Sequence, residues 1–479
     1  MRCRIVEPDT CDARGIFNAI LQKCQENQLN LSSCLTATAA DGASVNFGKK
    51  TGVLTQLQEQ LAPWMIRVHC IAHRLELCLK DAFKDTYFTQ IDELLMRIYS
   101  LYRRSSKKWK ELKVLGETLE EHVVKPTRSQ GTRWINHRRK ALAALASNYR
   151  CVIAHLLKEQ EESGPDKAKL KSYCRQLTSS KFVLHVAVYQ DILAELAELS
   201  LDFQADELSL SSVRSRVMAS QTALLRLREK PGPYLRPVLS AFTDTASVGV
   251  FQYKGVDINH QSTTSEAFRH QMVDMIDKII ECITYRFSTF STDPVLLAAE
   301  IFDPVNMPEN ISAINTYGDI ELQRLCEHFE PLLVTNGCNV AEVEREWLRV
   351  KFDIVQHHRR EAFLVLWNRM LNEKENIYPN LLHLVRIVLV FPVSTAQVER
   401  QFSTIKRMQG DWRLRLNLST IEYLLFIKSQ GCDPLEYNGE KAVERWWRAC
   451  LRRPGVRPYG SRLNSNPDPE SDSLSSDQV

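Results

Sequence analysis

The chain has 479 residues, enough for two or three domains or for one large domain carrying an insertion. With 44% hydrophobic and 25% charged residues it is neither a low-complexity nor a fibrous chain, but an ordinary globular one. The net charge of +4 permits nucleic-acid binding without demanding it, so any basic surface must come from local clustering.

The N-terminal MRCRIVEPDTCDARG is charged and has no apolar run, so it does not read as a secretory signal. Residues 34–44, CLTATAADGAS, read as an extended segment entering a turn, because Thr favours strands and Asp41-Gly42 breaks the run. Ile66–Val68 reads as a further short strand, with a continuous helix from Trp64 to Leu79 as the alternative. From 85 to 375 the apolar residues recur at helical spacing. Three such stripes are Phe182, Val186, Tyr189, Leu193 and Leu196; Val213, Val217, Leu224 and Leu227; and Phe268, Met272, Ile276, Ile279, Ile283 and Phe287. Loops rich in Pro and Gly separate these helices at 161–166, 228–237 and 301–310.

The most apolar run, LLHLVRIVLVF at 381–391, is too short for a membrane span and carries His383 and Arg386. Ser394 followed by Gln397 is a capping-box signature for a helix through VERQFSTIKRMQ. A second helix is expected at about 418–428, with Ile421, Leu424 and Leu425 on its buried side. From Pro454 the tail is rich in Pro, Ser, Asn and Asp and is expected to be disordered. Thirteen cysteines without a CxxC pair point to reduced thiols in the cytosol or nucleus. The ends therefore read as α/β and the middle as all-α, the layout of a mixed domain split by a helical insertion.

Three separated motifs are informative together. Asp41-Gly42-Ala43-Ser44-Val45-Asn46 precedes His69-Cys70-Ile71-Ala72-His73-Arg74-Leu75-Glu76-Leu77; Gly131-Thr132-Arg133-Trp134 follows; and Ser394-Thr395-Ala396-Gln397-Val398-Glu399-Arg400-Gln401-Phe402-Ser403 comes near the C-terminus. In order and spacing they resemble the hAT superfamily of transposases, especially the vertebrate transposase-derived proteins linked to zinc fingers. The resemblance covers about residues 1–430. It implies an α/β RNase H-like core, incomplete at its N-terminus, interrupted by a large all-α insertion in a predominantly helical chain. The expected divisions are 1–84 for the first part of the core, 85–375 for the insertion, 376–453 for the rest of the core with the dimerisation region, and 454–479 for the tail.

Residue by residue, the resemblance puts Asp41 at the family's second catalytic Asp and Glu399 at its catalytic Glu, both vestigial. A turn aspartate and an ordinary first-turn glutamate are the plainer readings. The first catalytic Asp belongs to a strand for which no residue here is a candidate, so catalysis is not expected. No resident cofactor or metal is expected either, and Mg²⁺ would matter only if activity survived. Cys70 and His73 match a CxxH. They supply two of the four ligands a structural zinc needs, so packing or hydrogen bonding is the better role. Arg133 and Trp134 match an R-W pair whose Trp stacks on a DNA base, worth about 1–3 kcal/mol per base; a buried indole beside a solvated face of Arg133, Arg138, Arg139 and Lys140 is the alternative. Lys406 and Arg407, with Trp412, Arg413 and Arg415, are candidates for phosphate contacts. No Cys₂His₂ spacing for the family's DNA-recognition finger is present.

The expected function is a non-catalytic, domesticated, self-associating nuclear protein that contacts DNA or chromatin. Ile421, Leu424, Leu425 and Ile427 are its candidate association surface, and no membrane is expected as a partner. A scaffold that binds no nucleic acid and a residual metal-dependent nuclease stay open as alternatives, as does a cytoplasmic location.

Overall fold

The computed structural model describes residues 5–129, 134–162, 166–205, 208–245, 249–260, 264–410, 416–433 and 435–449. Arg133, Trp412, Arg413, Arg415 and the tail at 454–479 lie outside the described residues. Helix predominates, and no helix among the described residues is long and apolar enough to cross a membrane.

Both short strands expected near the N-terminus form. Ala37–Ala40 (β1) runs parallel to Ile66–His69 (β2), with Ala40 opposite His69. The chain then turns into a helix at Ile71–Phe83 rather than continuing as helix from Trp64. Of the expected stripes, all fifteen side chains are buried, as their spacing requires. The helices that carry them start at polar caps: Ser179 accepts the Phe182 N–H, Ser209 the Ser212 N–H and Thr264 the Ala267 N–H.

One element inside the helical stretch is not visible in the helical reading. Val250–Tyr253 (β3) and Val256–Asn259 (β4) form an antiparallel hairpin joined by Lys254 and Gly255, both at positive φ (50° and 70°). Such a two-residue turn matches the twist of paired strands. Phe251 and Ile258 lie opposite each other, and both are buried.

Residues 6–404 form one compact unit. Its main hydrophobic core is continuous from Ile66 to Val393. A smaller cluster of Phe17, Val53, Leu54, Leu57, Ala62 and Met65 lies near the N-terminus. The second unit comprises Met1–Ile5 with residues from Ile405 onward. Within it, Ile5 donates its N–H to Glu422 Oε1 at 2.9 Å. Its helices are Leu418–Gln430, capped by Asn417, and Glu440–Ala449.

In the first unit, Trp347 is fully buried on the Val340–Asp353 helix and donates its indole N–H to the Tyr317 carbonyl at 3.1 Å. Gly318, at φ 75°, presses against it; a Cβ there would stand 3.2 Å from the Trp347 ring. Lys351, equally buried, donates to the Asn315 and Tyr317 carbonyls and to Asp319 Oδ1 at 2.8, 3.2 and 2.7 Å. Trp347→Ala is expected to lower unfolding free energy by about 3–5 kcal/mol, from lost burial and a residual cavity. Urea unfolding measures this; a loss below about 1 kcal/mol would mean the indole is not held as the structure has it.

Candidate functional site

The parallel pairing of β1 and β2 brings their C-terminal ends together, and most of the motif residues gather there. Cys70 donates its N–H to the Ala40 carbonyl at 2.9 Å, so Asp41 and Cys70 leave the two strands side by side. Asp41 is exposed and shapes its own turn: Oδ1 accepts from the Ala43 N–H at 3.2 Å and from Asn46 Nδ2 at 2.7 Å. Gly42 is required by space, since a Cβ there would lie 2.5 Å from His69 Cε1 and 2.7 Å from Nε2. Burial first, and then the positive charge of Arg74, push His69 down to about 4, so its ring is neutral at neutral pH. Arg74 itself is tied down, donating to the Arg286 carbonyl at 2.8 Å and to Thr289 Oγ1 at 3.1 Å.

The far end of the chain returns to this edge. Ile71 donates its N–H to the Val393 carbonyl at 3.4 Å, and the buried Cys70 Sγ accepts the Thr395 N–H at 3.3 Å. Ser394 Oγ accepts the Ala396 N–H at 3.2 Å, and the helix runs over Ala396–Met408, with Glu399 in its first turn. Cys70 thus has a packing and hydrogen-bonding place. His73 is half-buried, its ring 5.6 Å from that of His69.

Glu76 was not singled out by sequence and is central here. Its Oε2 accepts the Trp134 N–H at 3.0 Å, so it holds the N-terminus of the Trp134–Ser147 helix. Burial pushes its carboxyl up to about 7, against the pull of the Ile135 and Trp134 N–H groups and of Arg138, while nearby Glu399 adds to the rise. The sequence signal was an acid set among Ile71, Leu75, Cys78, Leu79 and Ala82, all buried on the same helix.

Trp134 is half-buried, with Lys80 Nζ 5.6 Å and the Arg138 guanidinium 5.4 Å from its ring centroid. Arg138 does not belong to a solvated face. It is largely buried and donates to Asp92 Oδ2 at 2.7 Å, while the Tyr189 hydroxyl donates to the same carboxylate at 3.3 Å. Arg139 and Lys140, the next two residues, are exposed. An arginine beside an apolar helix face is drawn inward when a buried carboxylate waits there.

Asp41 spends an oxygen on its turn and Glu76 is committed to a helix end. Among the described residues, neither Asp41, Glu399, Cys70 nor His73 belongs to a group of three or more potential metal ligands.

In the second unit the residues expected from sequence at the association surface differ in exposure. Ile421 and Leu425 are buried within the chain and Leu424 is half-buried. Ile427 is exposed (63%), together with Tyr423 (69%) and Phe426 (51%). Positions 423, 426 and 427 share one side of a helix, and 421 and 425 lie on the opposite side. Lys406 and Arg407 are exposed in the last turn of the Ala396–Met408 helix.

Residues 348–430 match the hAT family C-terminal dimerisation region. This stretch of the chain is therefore similar to the segment named for dimerisation in hAT-family proteins.

The raised Glu76 carboxyl generates a pH test. Its proton is bound more tightly in the folded chain than in the unfolded one, so its stabilising contribution is complete below about pH 4.5 and is lost as pH rises through about 7. Glu76→Gln, which keeps an acceptor for the Trp134 N–H, is expected to remove that slope. Denaturant unfolding of both proteins between about pH 4.5 and 8 reads the difference, in which the opposing slope from His69 cancels. Parallel curves would show that Glu76 is not desolvated.

Proposed function

We propose that this chain is a domesticated hAT-type protein that pairs with a second copy of itself, contacts DNA or chromatin in the nucleus, and has no complete catalytic site. The observation that carries the reading is the Leu418–Gln430 helix, inside the matched dimerisation region and apolar on two opposite sides. One side is buried in the chain. The other offers Tyr423, Phe426 and Ile427 to a partner, and Leu435, Tyr437, Val443 and Trp446 extend the exposed apolar surface beyond it. Large apolar side chains exposed in such number are characteristic of association sites.

The proposal includes an RNase H-like core interrupted by helices. It is supported by the parallel β1–β2 pair and by the return of the chain to the same sheet edge at Val393–Thr395 after more than three hundred residues. DNA contact is supported by Trp134 with its two flanking cations and by the exposed Lys406 and Arg407. Loss of catalysis is supported by Asp41, one of whose carboxylate oxygens is held by its own turn. Mg²⁺ accordingly has no role in the proposed function.

Phe426→Asp with Ile427→Asp is expected to convert a dimer to a monomer in sedimentation velocity at micromolar concentration, leaving the circular dichroism spectrum unchanged. A monomeric wild-type chain, or a dimer indifferent to these changes, would sink the association surface. Fluorescence anisotropy of a hairpin-ended duplex is expected to show binding that weakens with salt. Trp134→Ala should weaken it by about tenfold, the lower part of the range for one stacked base. Absence of binding by folded protein at low salt would favour a scaffold without nucleic acid. Metal-dependent nicking abolished by both Asp41→Ala and Glu399→Ala would overturn the non-catalytic reading.

A further inference from the structure

Away from the sheet edge, two neighbouring helices of the first unit, Ser106–Thr118 and Tyr149–Glu162, bring together a group of side chains with metal-ligand chemistry. His155 and Glu159 are four residues apart and so project from one face of the second helix, and Glu111 reaches them from the first. One ligand atom from each lies within 4.8 Å of the other two. Metal–ligand bonds of about 2.0–2.2 Å to imidazole and carboxylate need only a modest contraction of that triangle.

We propose that Glu111, His155 and Glu159 form a binding site for a transition-metal dication of the zinc type.

Three features support a site over a chance meeting of charges. The His155 side chain is only 2% exposed, and the Tyr102 hydroxyl lies 3.2 Å from its Nδ1. That contact fixes the ring and leaves Nε2 facing Glu111 Oε2, 3.5 Å away, as outer partners of metal-bound histidines do. Glu111 Oε2 is buried and makes no hydrogen bond, with the His155 ring nitrogen 3.5 Å away. Finally, a cation already sits on the group: Lys108 Nζ is 2.6 Å from Glu159 Oε2. Lys107 Nζ lies 3.6 Å from Glu111 Oε1 as well, so the two carboxylates are met by two ammoniums, and a dication that displaces Lys108 meets two carboxylates with one remaining cation at the rim. Lys108 is partly exposed and lines an open cleft of about 670 Å³ with Arg104, Lys169 and Tyr173, which gives the ammonium somewhere to go and the ion a way in. Imidazole with two carboxylates is a donor set for zinc or its first-row neighbours and leaves a fourth position for water.

The test uses the full chain stripped of metal with a chelator and then titrated with Zn²⁺ by calorimetry and with Co²⁺ by visible absorption. Saturable uptake near one equivalent is expected, with Co²⁺ giving the intense bands of a four-coordinate site. His155→Gln and Glu159→Gln should each weaken binding by at least tenfold, and Tyr102→Phe by about tenfold through loss of the partner that orients the ring. Lys108→Met should tighten it, since the competing cation is gone. A decisive comparison survives even if a ligand variant fails to fold. If the group is only an ion-pair cluster, Lys108→Met lowers the melting temperature and zinc does not restore it. If it is a metal site, zinc raises the melting temperature of Lys108→Met above that of the metal-free wild type. Uptake by wild type no greater than by a folded His155→Gln chain, or no rescue of Lys108→Met by zinc, would overturn the proposal.

Discussion

The candidate site depends on a junction between residues more than three hundred apart: the Thr395 N–H on Cys70 Sγ and the Ile71 N–H on the Val393 carbonyl. Closing so long a loop costs conformational entropy that two hydrogen bonds do not offset. The cost is met by the continuous core between Ile66 and Val393, which these bonds merely register. Because of that register, the Ile71–Phe83 helix and the Ala396–Met408 helix begin at the same sheet edge, and Glu76 and Glu399 come close enough to feel each other's charge.

At this edge two acids do structural work. Asp41 closes the turn after β1, and Glu76 holds the first amides of the Trp134–Ser147 helix. A carboxylate at a helix N-terminus is favoured by the unpaired N–H groups and the helix dipole, while its burial raises the cost of its charge. The same economy of buried charge appears at Asp92, where Arg138 and Tyr189 converge from two other helices. Each such group ties several helices to one geometry, because leaving any member unpartnered would cost more than the pair contributes.

The second unit shows the opposite tendency, with large apolar side chains left in solvent. A helix that is apolar on two opposed sides is poorly served by one body, since only one side can face it. Tyr423, Phe426 and Ile427 on the Leu418–Gln430 helix, inside the matched dimerisation region, are the physical expression of that excess.

What the sequence determined by itself was local and periodic. The spacing of Phe182 through Leu196 and of Phe268 through Phe287 specified buried helical faces, because burial and a period of 3.6 residues leave one side for the core. Thr and Ala ahead of Asp41-Gly42 specified a strand and its turn, and the C-terminal motif specified the family segment. The Lys254-Gly255 hairpin was also written in the chain, as a two-residue turn between alternating residues, but its two short strands were masked by flanking helical periodicity. Tertiary structure alone decided the partners. Which apolar side of the Leu418–Gln430 helix is buried, that Arg138 turns inward to Asp92, that Glu76 caps a helix some sixty residues away, and that Glu111 meets His155 and Glu159 are all consequences of packing between distant segments. Local pattern says that a side chain must be satisfied; only the folded chain says by what.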